Sequence, residues 1–214
     1  EFPELQGIMG GYYSFNEGKD VSDLIRSHYL PKGSSGELSR MIGANVISLS
    51  DKIDHLVGFF IIGKLPSGSK DPFGLRRSAL SVIRILIEGN ILINLDSLIE
   101  FTSIQINKKS NDNQKIKSFI LDRYKVLLRE KNIKHDVINC IVNNNLTFLS
   151  KTNERLAILH DFLDTKAGDE LKSLWQRVSN ILLIEEKQNK KIEVFNSKVQ
   201  SDFLKEEVNI INAI

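Results

Sequence analysis

Only four prolines, at positions 3, 31, 66 and 72, interrupt 214 residues, and between them apolar side chains return at helical spacing. So few breakers and so persistent a period confine the chain to helical architectures. The clearest run is Ile42, Val46, Leu49, Ile53, Leu56 and Phe60, which steps by 4, 3, 4, 3 and 4 and predicts a helix from about Leu38 to Ile62 with one apolar stripe. The stretch GKLPSGSK at 63–70 ends it. Asp71 and Pro72 then read as an N-cap followed by proline at the first helical position. That second helix runs to about Glu88, where Gly89 and Asn90 stop it, and Asn94 or Asp96 starts the next, near 95–106. No strand alternation competes, so the expected fold class is all-α.

The most polar stretch, NKKSNDN at 107–113, places an expected boundary between a domain at 1–110 and a second at 111–214. Beyond it, apolar spacing predicts helices around 116–128, 137–141, 156–163 and 171–182, and a solvated or fraying helix from about Lys187 to Ile214. The opening EFPELQGIMG reads as the inside of a helical segment and begins with Glu1, so a longer polypeptide is expected.

Composition narrows the function classes. With 41% hydrophobic and 26% charged residues, the chain is neither disordered nor a disulfide scaffold. Lys and Arg total 29 against 27 Asp and Glu, and a net charge of +2 makes no global case for a polyanionic partner. Any basic surface must be local. A lone cysteine, Cys140, forms no internal disulfide, which suits a reducing, cytoplasmic compartment. The longest uncharged apolar stretch, 56–63, is far shorter than the roughly 18 residues of a membrane span, so no membrane partner is expected.

Asp51 and Asp54 share a helix face apart from the apolar stripe. Paired carboxylates hold a divalent cation, split acid and base roles, or neutralise nearby arginines. Arg76 falls inside the apolar arc of the following helix, among Leu75, Ala79, Leu80, Ile83 and Ile87, and a buried guanidinium demands a carboxylate. Asp51 or Asp54 is the expected partner. Arg77 and Arg84 fall on the polar face beside Ser81 and Glu88. Between 64 and 84 stand five basic residues (Lys64, Lys70, Arg76, Arg77, Arg84) against one acidic residue, Asp71. This local excess marks where an anionic ligand would bind, phosphate backbone above all. His28, His55, His135 and His160 form no HxxxH or HExxH pair, so a zinc protease is excluded. The glycine patterns GIMGG at 7–11 and GSSG at 33–36 follow no strand and indicate no nucleotide site.

Several strings together resemble the β subunit of the bacterial α2β2 glycyl-tRNA synthetase: EFPELQGIMGGYY at 1–13, HYLP at 28–31 and SDKIDHLVGFFIIGKLPSGSKDPFGLRRSALSVIRI at 50–85. WQRVSNIL at 175–182 resembles the place where the family's anticodon-binding region begins. Asp71, Pro72, Phe73, Arg76 and Arg77 match the family's Asp-Pro-Phe-x-Leu-Arg-Arg motif. Gly11 stands where many members carry a larger, often basic residue, Gly74 replaces the usual alanine, and Gln176 replaces a lysine or arginine.

The resemblance implies a truncated HD-like helical domain followed by a helical linker and the start of an anticodon-binding bundle that stops short at Ile214. Asp51 falls where an HD domain's last metal-binding aspartate lies, but the family is regarded as having lost the companion ligands, so no metal and no catalytic residue is carried over. The resemblance also implies that the complete ligase uses ATP with magnesium on the α subunit within a heterotetramer. The β subunit then binds and positions tRNA(Gly), with Lys64, Lys70, Arg77 and Arg84 toward the RNA and Arg76, Asp51 and Asp54 as a structural ion pair. Two rivals remain: a metal-dependent HD-type phosphohydrolase using Asp51, and a scaffold that contacts the α subunit without touching RNA.

Overall fold

The computed structural model describes residues 2–34, 36–106, 112–143 and 146–187. The described residues form the helices α1 (Ile8–Tyr13), α2 (Lys19–Ser27), α3 (Ile42–Ile61), α4 (Leu75–Glu88), α5 (Leu95–Gln105), α6 (Asn113–Glu130), α7 (His135–Ile141), α8 (Thr152–Leu163) and α9 (Lys166–Lys187). No strand occurs among them, as the all-α reading requires. The segment expected as a solvated or fraying end lies, beyond Lys187, outside the described residues.

Two compact units result, 1–160 and 161–214. The polar stretch expected to mark a boundary falls within the first, and its residues 107–111 lie outside the described ones. Beyond it, α6 packs against α3, α4 and α5 and buries Ile116, Ile120, Leu121 and Leu128. Polar residues mark a connection between elements whether or not those elements share a core.

In the first unit α4 is the central helix. Leu75, Ala79, Val82, Ile83, Ile85 and Leu86 are fully buried, and Ser78, Ser81 and Arg84 are buried as well. Most of the helix is thus interior, and its exposed positions are Arg77 near the start and Glu88 at the end. Helix α3 follows the expected stripe through Leu49, Ile53, Leu56 and Phe60, but Ile42 and Val46 are exposed at its start. There the buried positions are Ala44, Asn45 and Ser48. The Ser48 hydroxyl donates to the carbonyl of Leu30 at 2.8 Å and the Asn45 amide to that of Ser39 at 2.9 Å. The chain crossing this end presents backbone carbonyls, which need donors rather than methyl groups.

The GIMGG stretch lets two helices close on each other. A Cβ at Gly11 would lie 2.9 Å from the Ser22 carbonyl oxygen, and one at Gly7 2.8 Å from that of Arg26. The Gly11 carbonyl accepts from the Ser22 hydroxyl at 2.5 Å, so a larger residue here would have to part α1 from α2. At α5, Asn94 rather than Asp96 is the cap, accepting from the backbone N–H groups of Asp96 at 2.9 Å and Ser97 at 3.2 Å. The Asp96 carboxylate instead holds the buried Lys117 at 2.8 Å and ties α5 to α6.

Tyr124 is fully buried on α6 with its hydroxyl beside that of Thr152, which itself donates to Leu149 O at 2.6 Å and only partly offsets the effect of burial. Burial pushes the Tyr124 phenol up to about 12. A raised folded value contributes stability that is complete below the unfolded value near 10 and disappears as pH climbs through the folded one. In an absorbance titration, Tyr124 is expected to ionise late, near pH 12, and Tyr124→Phe to remove that late step.

In the second unit, the Thr165 hydroxyl accepts from Gly168 N–H at 3.1 Å and caps α9. This helix exposes Leu171, Leu174, Trp175 and Val178.

Candidate functional site

The connection from α3 to α4 is held in shape by its own backbone. Gly63, at φ +70°, ends α3: its N–H reaches Phe60 O at 3.0 Å and that of Lys64 reaches Phe59 O at 2.9 Å. This is the paired bonding of a left-handed helix stop, which glycine alone makes without strain. Ser67 and Lys70 then exchange both backbone hydrogen bonds, at 3.1 and 2.9 Å. The Asp71 carboxylate accepts from the N–H groups of Leu75 at 2.9 Å and Arg76 at 3.0 Å. Asp71 therefore caps α4 as expected, but from farther back. The helix begins at Leu75, not Pro72, because Gly74 takes a left-handed turn at φ +67°. At that angle glycine is favoured, since a Cβ is strained there.

Phe73 sits in this turn. The His55 Nε2–H donates to its carbonyl at 2.9 Å, the His55 and Phe59 rings meet at a tilt with centroids 4.7 Å apart, and Phe59 meets the Phe73 ring at 4.4 Å.

Lys64, Lys70 and Arg77 are all exposed, and no ion pair engages them among the described residues. The Arg77 stem covers Gly33, and its guanidinium lies beside Gly74, where a Cβ would sit 3.0 Å from Nη2.

Two expectations fail. Arg76 is half-buried and pairs with neither Asp51 nor Asp54; its Nη2 donates to the carbonyl of Gly68. The late helix start explains this. Arg76 occupies the first turn, and helical side chains lean toward the N-terminus, so this one runs back over the loop instead of into the core. Asp51 pairs with its neighbour Lys52 at 2.7 Å, and Asp54 is exposed.

Arg84, expected to face RNA, is buried. It grips Glu88 with two bonds, Nε to Oε1 at 2.8 Å and Nη2 to Oε2 at 2.9 Å, and donates to the carbonyls of Gly36 at 2.9 Å and Gly33 at 3.4 Å. One turn earlier, the Ser81 hydroxyl donates to Pro31 O at 2.8 Å and accepts from Gly33 N–H at 3.1 Å. Pro31, Gly33 and Gly36 thus lie across the polar face of α4, which satisfies their backbone groups. Hydrogen bonds from Arg84 hold the Glu88 carboxyl below its ordinary value of 4.5 against the opposing effect of burial, and the charges of Arg84 and Lys131 add to the lowering. The helical-wheel reading missed Ser81 and Glu88 as parts of this node. Its signal was the i,i+4 Arg–Glu spacing together with a Gly/Ser loop short of partners.

Without Arg84, four basic residues (Lys64, Lys70, Arg76, Arg77) face one acidic residue, Asp71, between 64 and 77. An open groove of about 360 Å³ beside Phe60 and Phe119 carries Lys115 and Asp122, and Lys115 already pairs with Asp112 at 2.6 Å. A cavity of about 50 Å³ between Ile83, Tyr124 and Leu128 is large enough for water alone. Among the described residues no three His, Cys, Asp or Glu side chains converge as a metal site would require. No helix among them is long and apolar enough to cross a membrane.

Fold and loop together define an all-helical module whose exposed chemistry is a cationic connection between two core helices. Residues 1–143 match the family described as glycyl-tRNA synthetase beta subunit, and the chain belongs to that family. Among its relatives, the glycine–tRNA ligase beta subunit of Phenylobacterium zucineum (strain HLK1) is 41% identical over 189 residues, covering 87% of this chain and 26% of the relative. That of Rickettsia africae (strain ESF-5) is 42% identical over 188 residues, 85% of this chain and 27% of the relative. That of Janthinobacterium sp. (strain Marseille) is 38% identical over 214 residues, 98% of this chain and 30% of the relative. The chain therefore spans between a quarter and a third of the curated relatives it matches.

Proposed function

We propose that this chain is the part of a bacterial glycine–tRNA ligase β subunit that holds tRNA(Gly) through the connection between α3 and α4. The observation that carries this reading is a trio of cations: Lys64 and Lys70, exposed on a loop fixed at both ends, and Arg77, exposed on the first turn of α4 that follows it, none of them held in an ion pair among the described residues. Cations on a rigid backbone meet phosphates without first paying for their own ordering, and phosphate contacts position RNA irrespective of sequence. In this reading the α subunit performs ATP- and magnesium-dependent glycine activation in the cytoplasm, and the β subunit presents the RNA to it. The first unit is an HD-like domain turned from metal chemistry to binding, and the second begins the anticodon-binding bundle. The exposed Asp51, paired with Lys52, supports this over the phosphohydrolase rival.

The test is a titration of this chain with tRNA(Gly) at several salt concentrations. Three phosphate contacts should give a slope of log K against log salt of about −3. A slope near zero would remove the proposal. The scaffold reading draws support from another place, the exposed Tyr12, Tyr13 and Phe15. Repeating the titration with the α subunit present separates the two, since competition with RNA for this chain favours the scaffold.

A further inference from the structure

We infer that Phe73 is a stacking platform for an unpaired RNA base, so that the loop takes a single-stranded end as well as phosphates; this rests on the RNA-binding reading above. A phenylalanine at a loop apex usually turns into the core, because burying its ring is favourable by about 1.5–3 kcal/mol. Phe73 remains 42% exposed and is nonetheless held on several sides. The His55 imidazole binds its carbonyl at 2.9 Å, the Asp71–Gly74 turn closes behind it at 3.1 Å, and one part of its ring rests on Phe59 at 4.4 Å. This arrangement fixes the ring where it stands and leaves aromatic surface to solvent.

The surroundings identify the occupant. The Arg77 guanidinium lies against Gly74, the residue after Phe73, and the Arg76 guanidinium is pinned to Gly68 in the same loop. Lys70 is exposed three residues before the ring. The nearest acidic side chain in sequence, Asp71, is engaged in capping α4, and Asp54 lies next to His55 on α3. An apolar protein partner would have to desolvate these cations, whereas a nucleotide brings a flat ring to the phenyl face and an anion to the guanidinium in one piece. Aromatic faces flanked by cations are the usual means of holding unpaired nucleotides, which a closed duplex cannot offer.

The experiment uses the 214-residue chain with two RNA hairpins, one blunt and one carrying a four-nucleotide 3′ overhang with 2-aminopurine at an unpaired position. The overhang should tighten binding roughly 10-fold and quench the 2-aminopurine fluorescence, in keeping with about 1–3 kcal/mol per stacked base. Phe73→Leu, which keeps an apolar contact for Phe59, should lose both the overhang's advantage and the quench while binding the blunt hairpin with the same salt slope. Phe73→Trp should retain them. Equal affinity for the two hairpins, without quenching, overturns the inference and leaves the phosphate-binding reading intact. Loss of blunt-hairpin affinity in Phe73→Leu also overturns it, since the ring would then merely shape the loop. Failure of both hairpins to bind removes both readings together.

Discussion

Arg84→Ala should destabilise the first unit by about 3 kcal/mol, the scale expected when one partner of a largely buried ion pair is removed. The two bonds to Glu88 are the smaller part, because the carboxylate is partly exposed and can rehydrate. The larger part comes from Gly33 and Gly36, whose carbonyls lose their donor beside a largely buried helix. For a unit of this size the loss should appear as a fall in melting temperature of roughly 10 °C. Arg84→Lys should recover little, because an ammonium cannot reach a carboxylate and two carbonyls at once as the guanidinium fork does. The pH dependence is a second signature. Glu88 titrates below its ordinary value in the folded chain, so its contribution is present above about pH 4.5 and is lost as pH falls through the lowered value. In Arg84→Ala that part of the acid transition should disappear. If melting is unchanged while RNA affinity falls, Arg84 belongs to the ligand surface and the node described here is misassigned.

The other large effect concerns binding with no change in fold. Replacing Lys64, Lys70 and Arg77 together by glutamine shortens the stems but keeps polarity, and at Arg77 it keeps the Cβ and Cγ that cover Gly33. The slope of log K against log salt should become shallower by about 3, and affinity for tRNA(Gly) at 0.1 M salt should fall roughly 100-fold or more. Near 1 M salt the variant and the parent should converge, since the release of counterions that drives such binding vanishes there. Melting should stay within a degree or two, in contrast with Arg84→Ala. An unaltered slope would show that these cations touch no phosphate. Comparing the two variants separates what Arg84 does for the fold from what its exposed neighbours do for a ligand.

Arg76 and Arg84 show where reading the chain residue by residue runs out. A helical wheel assigns both by their angle, and a wheel describes a helix in isolation. Arg76 was displaced by a three-residue shift in where the helix begins, enough to turn an inward guanidinium back over a loop. Arg84 was displaced by a distant segment: the loop after Tyr29 crosses the polar face of α4 and converts it into interior. Asp71 and Asn94, by contrast, could be read directly, because a cap bonds to residues a few positions away.

The helical class, the stops at Gly63 and Gly89, the capping residues and the kinship to one family all follow from the order of amino acids. Each depends on interactions within about five positions, or on a string long enough to be unmistakable. Which polar side chains meet water, and hence which cations remain available to an anion, was decided by the tertiary structure. The same Arg or Ser on a helix is surface or interior according to whether a remote backbone with unmet carbonyls comes to lie across it.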